Sequence, residues 1–132
     1  MSVGLVLVSH SRDLAEGLRE VLEGLPDAGV PLAVAAGGPD GELGTSALAI
    51  AGAVESLGAG DGVVILADLG SGVLSAETAL EQLDPSLRDR VHLADAPFVE
   101  GAVAAVRAAA GGADVSAVLA AAEATRGVRK LG

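Results

Sequence analysis

The chain contains no cysteine, no tryptophan and no tyrosine, and only one phenylalanine among 132 residues. Without cysteine there are neither disulfides nor thiolate metal sites. The near-absence of aromatics removes any platform on which a nucleobase or a flavin ring would stack. Basic residues are also scarce, 8 against 18 acidic ones, for a formal net charge of −10. Such a surface repels phosphate backbones and anionic lipid, which argues against nucleic acid or a membrane as partner. It attracts an electropositive protein instead. No apolar stretch approaches the roughly 18 residues of a membrane span; Ala47 to Val54 is among the longest. The N-terminal apolar run has no basic region before it, so no signal peptide is expected, and the expected location is cytoplasmic. The two histidines and scattered carboxylates show no metal-ligand spacing.

What is present is aliphatic: hydrophobic residues make up 51 % of the chain, so the core must be Val, Leu and Ala. The length suits one domain, expected over 1–125, with 126–132 as a C-terminal tail. Val3-Gly4-Leu5-Val6-Leu7-Val8 is short, β-branched and bounded by polar residues, which predicts a buried strand. Arg12 to Leu22 follows with Leu14, Leu18, Val21 and Leu22 at helical spacing. The alternation then repeats. A turn at Pro26-Asp27-Ala28-Gly29 leads to a strand over Val30 to Ala36, whose Pro31 suits a strand start or an edge. A loop from Gly37 to Gly44 precedes a helix capped by Thr45 or Ser46 and running to about Leu57, through Leu48, Ile50, Ala51 and Val54. Gly58-Ala59-Gly60-Asp61-Gly62 breaks it. The strand Val63 to Ala67, the loop Asp68 to Gly72 and a helix from about Val73 to Leu83 come next, with Leu74, Thr78, Ala79 and Leu80 inward. Arg90 to Ala94 predicts a fourth strand, followed by a helix to about Ala110 and an Ala-rich helix, opened by Asp114 or Ser116, to about Thr125.

Strands alternating with helices predict an α/β fold, an open and mostly parallel sheet with helices on both faces. The flavodoxin-like order 2-1-3-4 is expected, with its switch point between the first and third strands. His10 then stands at the carboxyl end of the first strand, beside the loop Asp68 to Gly72. The helices that begin after His10, Gly44 and Gly72 direct unpaired N–H groups at one crevice, which favours an anion there. Gly70 and Gly72 permit close backbone approach, and Ser71, Ser11 and Thr45 offer hydroxyl donors. Asp68 is placed to hold one ring nitrogen of His10, leaving the other as a free lone pair. An oriented imidazole beside an anion cradle suits a phosphoryl acceptor. Several of these residues have a plainer reading as well. Asp68 also fits a helix cap, Gly70-Ser71-Gly72 an ordinary turn, Thr45 and Ser46 caps, and Arg12 a solvated first-turn residue; His92 reads as structural or solvent-facing.

Leu7-Val8-Ser9-His10-Ser11, Gly44-Thr45-Ser46, the run Ala67 to Ala79 and the segment Ala96 to Ala102 together resemble the mannose-type IIA domain of dihydroxyacetone kinase phosphotransferase subunits. The resemblance extends to about Ala122. Sugar-transporting mannose IIA proteins share the histidine but typically carry a Thr-Trp-Gly-Gly-Ser type loop after the aspartate, which this chain lacks. The resemblance implies a phosphohistidine relay without a bound cofactor. His10 would take a phosphoryl group from the carrier protein HPr and pass it to ADP held on the kinase's nucleotide-binding subunit, while a third subunit acts on dihydroxyacetone. It implies that Asp68 orients His10, that the Gly70-Ser71 region lines the phosphate, and that the protein is a homodimer. Some members carry fused carrier and enzyme I-like domains; here a separate phosphoryl donor is expected. The alternative is a regulatory or sugar-transport mannose-type IIA protein that signals or passes its phosphoryl group to a IIB partner. A receiver domain fits poorly, since Ser9-His10-Ser11 stands where its acidic pair belongs and the only lysine is Lys130 in the tail.

Overall fold

The computed structural model describes residues 2–26, 29–58 and 60–132; Met1, Asp27, Ala28 and Ala59 lie outside the described residues, and with them part of the turn and of the helix break expected there. Strand β1 (Gly4–Ser9) is followed by helix α1 (Arg12–Glu23), β2 (Leu32–Ala36), α2 (Ala47–Leu57), β3 (Val63–Ala67) and α3 (Gly70–Gln82). A short α4 (Pro85–Arg88), β4 (Val91–Leu93), α5 (Phe98–Ala110) and α6 (Val115–Ala124) complete the chain, with a last 3-10 turn at Thr125–Gly127. The four strands are parallel and lie in the order β2-β1-β3-β4, as the βα alternation predicts. Pro31 immediately precedes β2, which is an edge strand.

The period-two alternation of strand side chains sorts the core into two layers. Leu5 and Leu7 of β1 and Val64 and Leu66 of β3 pack with Leu18 and Leu22 of α1 and with the alanines of α5. Val6, Val8, Val63 and Ile65 point the other way, against Ile50 and Val54 of α2 and Ala76 and Ala79 of α3. Covering both faces explains why the β1 sequence is continuously apolar rather than alternating. Register then fixes the functional edge. Val8 pairs with Ala35 on one side and Ala67 on the other, so the residues following β1 and β3 emerge as neighbours.

Small side chains alter the expected helix faces. On α3 the buried positions are Gly72, Ala76 and Ala79, while Leu74 and Thr78 are exposed. The helix lies close to the sheet on its small-residue stripe, where leucine would not fit. The same correction applies to Leu14 and Val21 of α1 and Leu48 of α2, all exposed, with Ala15, Ile50 and Ala51 buried in their helices. Helix α3 also begins at Gly70 rather than near Val73, so Gly70-Ser71-Gly72 is its first turn. In the tail, Arg126 pairs with Asp95 and Lys130 with Glu100, exposed contacts that add little stability.

Two glycines measure this packing. A Cβ at Gly101 of α5 would stand 2.9 Å from the Ala96 Cβ and 3.2 Å from Leu66 Cδ1, whereas one at Gly52 of α2 meets nothing within 4 Å. Gly101→Ala is expected to destabilise by about 1–3 kcal/mol through overpacking. Gly52→Ala should stabilise by about 0.5–1 kcal/mol through helix propensity. Urea denaturation of the two variants checks both signs.

Candidate active site

Ser9 ends β1, and His10 and Ser11 form the turn into α1. Asp68 follows the last residue of β3, and its N–H donates to the Val8 carbonyl at 3.1 Å, extending the strand ladder by one bond. That bond carries the Asp68 side chain to His10. The His10 ring Nδ1 lies 2.9 Å from Asp68 Oδ1. The other carboxylate oxygen, Oδ2, accepts from the His10 N–H at 3.0 Å and from the Ser9 hydroxyl at 2.9 Å. Oδ1 accepts a further bond from the Leu69 N–H at 2.7 Å. Asp68 thus bonds both the ring and the main chain of His10, and it does not cap α3: the residue before that helix is Leu69, which has no side-chain cap bond.

With Nδ1 facing a carboxylate, that nitrogen carries the ring proton and Nε2 keeps its lone pair. Nε2 points to the Ser71 hydroxyl in the first turn of α3. The histidine side chain is 23 % exposed and that of Asp68 only 8 %, so the reactive nitrogen meets solvent while its partner does not. Burial is the largest influence on the Asp68 carboxyl and raises its pKa. Hydrogen bonds from the His10 N–H, the His10 ring and the Ser9 hydroxyl, with the ring's charge, together outweigh burial and leave it below the ordinary 3.8.

The backbone of His10 is held on the other flank as well. Its carbonyl accepts from the Gly44 N–H at 2.9 Å, and Gly44 adopts φ +145°, a region that L side chains rarely enter. The remaining sequence-predicted residues divide. Ser71 reaches His10 directly. Gly70 begins α3, where the first N–H groups have no intrahelical acceptor, and Gly72 is buried beside the carboxylate, where a Cβ would make ordinary contact at 3.4 Å from Asp68 Oδ1. Ser11 caps α1 by accepting from the Leu14 N–H at 3.3 Å. Thr45 bonds the Ser75 hydroxyl at 2.6 Å, and Ser46 is the residue that caps α2. Arg12 reaches across to the Ala36 carbonyl at 3.2 Å. His92 lies within β4, in register with Val64.

Sequence reasoning missed Ser9. It is wholly buried, and a serine closing an otherwise apolar strand next to the key histidine was the signal available. A cleft of about 310 Å³ opens beside Asp68, between the carboxyl ends of β3 and β4, lined by Leu69, Gly70, Leu93 and Asp95 among others. A larger hollow of about 530 Å³ lies on α5 at Val99, Val103 and Arg107, away from any histidine. Among the described residues no group of three or more His, Cys, Asp or Glu side chains is placed to hold a metal ion. No helix among them is long and apolar enough to cross a membrane.

Comparisons with known proteins agree with this geometry. A family model described as the PTS system fructose IIA component matches residues 4–119. The phosphoryl donor subunit DhaM of the PEP-dependent dihydroxyacetone kinase of Providencia stuartii (strain MRSN 2154) is 43 % identical over 120 residues, covering 89 % of this chain and 25 % of that protein. The DhaM subunit of PEP-dependent dihydroxyacetone kinase 2 of Listeria innocua serovar 6a is 43 % identical over 103 residues, 78 % of this chain and 82 % of the relative. The chain thus spans a quarter of the first relative and most of the second. A crystal structure of the protein of unknown function EF1359 matches at a TM-score of 0.89 with 33 % identity over 100 % of both chains. A match over nearly the whole chain, from β1 into α6, shows that this protein belongs to the PTS system fructose IIA component family and, within it, groups with the DhaM subunits.

Proposed function

We propose that the chain is a phosphoryl relay that takes a phosphoryl group from histidine-phosphorylated HPr onto His10 Nε2 and passes it to ADP on the nucleotide-binding subunit of a dihydroxyacetone kinase. The observation that supports this most directly is the division of labour on the ring, with Nδ1 on Asp68 and Nε2 facing outward. In the transfer, a bond forms between Nε2 and phosphorus as the donor's N–P bond breaks, the electron pair returning to the donor ring. The Nδ1 proton stays in place, and Asp68 balances the positive charge that develops on the His10 imidazole. Ser71 exchanges its bond to Nε2 for one to a phosphoryl oxygen, and the first N–H groups of α3 support the others. Little else is asked of the protein, because such transfers depend on positioning and charge.

A protein donor, rather than a small molecule, is favoured by the rim. Leu14, Leu43, Leu48, Leu69 and Leu74 are 47–79 % exposed, and all lie in the loops or first two helical turns that follow the carboxyl ends of β1, β2 and β3. Exposed leucines gathered around a reactive group mark a docking surface. The net charge of −10 suits an electropositive partner, and the working compartment is then the cytoplasm.

Incubation with phosphoenolpyruvate, enzyme I and HPr is expected to label the protein with an acid-labile, base-stable phosphate that is lost in His10→Ala. Discharge onto an ADP-loaded kinase subunit is expected; discharge onto a sugar-transporter IIB protein instead would overturn the assignment of the acceptor. Leu69→Asp should raise the KM for phospho-HPr about tenfold while leaving kcat near wild type, the loss of one central apolar contact at an interface. The lowered Asp68 pKa also gives a sign to acid sensitivity. Its stabilising contribution is complete above the ordinary 3.8 and disappears as pH falls through the depressed folded value. Thermal melts from neutral pH downward should therefore show Asp68→Asn less stable than wild type above that value, with the gap closing below it.

A further inference from the structure

Ser9 is the only polar residue among the described buried ones, at 0 % exposure, and the relay as described gives it no task. Its hydroxyl donates to Asp68 Oδ2 at 2.9 Å and accepts from the Ser11 N–H at 3.1 Å. Packing alone does not call for it, since an alanine would fill the same place in a buried apolar strand; the hydroxyl is there for its two partners. What the hydroxyl does specifically is complete the coordination of Asp68. A carboxylate has about four lone-pair positions, and Asp68 receives donors from Ser9, the His10 N–H, His10 Nδ1 and the Leu69 N–H. A group held in this way resists rotation about its Cβ–Cγ bond and has no vacant position for a proton.

We propose that Ser9 is a positioning residue for phosphoryl transfer at His10, its O–H locking Asp68 in the rotamer that holds the Nδ1 proton and aims Nε2 at the incoming phosphorus. Without that hydroxyl, Oδ2 keeps only the His10 N–H, and one buried lone pair is left empty. The carboxylate then turns to recover a donor, the distance to Nδ1 is no longer fixed, and the ring samples both tautomers. Ser9 acts on the ring through Asp68, its other bond going to the Ser11 N–H, so its influence on the ring must vanish when Asp68 no longer carries a charge. The kinetic part of this inference rests on the relay reading; the tautomer part does not.

The test combines nitrogen NMR of the histidine ring with phosphotransfer kinetics on the full chain. In wild type, the neutral His10 ring should show a single Nδ1–H tautomer; in Ser9→Ala, a mixture. With phospho-HPr as donor, Ser9→Ala should lower kcat about 10- to 100-fold, the scale expected for a misaligned reacting group, and leave KM unchanged. Ser9→Thr, which keeps the hydroxyl, should restore both the tautomer and most of kcat. Introduced into Asp68→Asn, Ser9→Ala should cost nothing further. A single Nδ1–H tautomer with wild-type kcat in Ser9→Ala, or an equal loss in the Asp68→Asn background, overturns the proposal. Should Ser9→Ala fail to fold, Ser9→Cys has nearly the same shape with a weak donor, and its tautomer population decides the matter alone. If even the wild type takes no phosphoryl group from HPr, the relay reading fails while the ring spectra still judge Ser9.

Discussion

One carboxylate governs the working edge of this molecule. Asp68 gathers two donors from β1 and its turn, one from the imidazole and one from its own next peptide. Three of these bonds come from Ser9 and His10 at the end of β1 and one from the peptide leading into α3, so the carboxylate fixes the relation between the two. Burying it costs solvation, and the four donors offset that cost. The result is an ionised group at low exposure beside a half-open histidine. In the proposed relay this pairing would let a net-acidic protein build a site for an anion: the charge that would repel a phosphoryl group is occupied by inward donors, while helix N-termini offer theirs outside it.

The topology makes that arrangement reproducible. β1 sits between β2 and β3, so its carboxyl end is flanked on both sides, and the direction of the chain reverses across it. Loops from both neighbours reach the His10 backbone, one through Asp68 and one through Gly44. A crevice at such a switch point is where open α/β sheets hold their ligands. In the proposed relay, the exposed leucines around it would separate the approach of a macromolecule from the chemistry of the ring.

Much of this was legible in the residues. Val3 to Val8 and Val63 to Ala67 are short apolar runs bounded by turns, and their order with the intervening helices restricts the sheet to few topologies, so His10 and Asp68 could be placed together before any coordinates. Helix faces were less readable. Leu74 and Leu48 read as core residues because leucine is strongly apolar, yet the faces that α3 and α2 bury carry Gly72, Ala76 and Ala79 and Ile50, Ala51 and Val54. Hydrophobicity marks which residues prefer burial; it does not mark how much room the opposing layer leaves. Ser9 escaped notice for the complementary reason. A serine before a turn is unremarkable in composition, and only the bond to a carboxylate 59 positions away reveals its role. The start of α3 was misplaced because glycines at a helix N-terminus look like loop.

The doubly anchored peptide of His10 has a consequence for recognition. With its N–H committed to Asp68 and its carbonyl to Gly44, the main chain at this position has nowhere to go when the ring is charged; the adjustment falls to the hydroxyl rotor of Ser71. In the proposed relay, loaded and empty forms would then present nearly the same relief to whatever docks. An upstream protein and a downstream one would have to tell them apart by the presence of two negative charges at the centre of the contact, not by any change of shape around it.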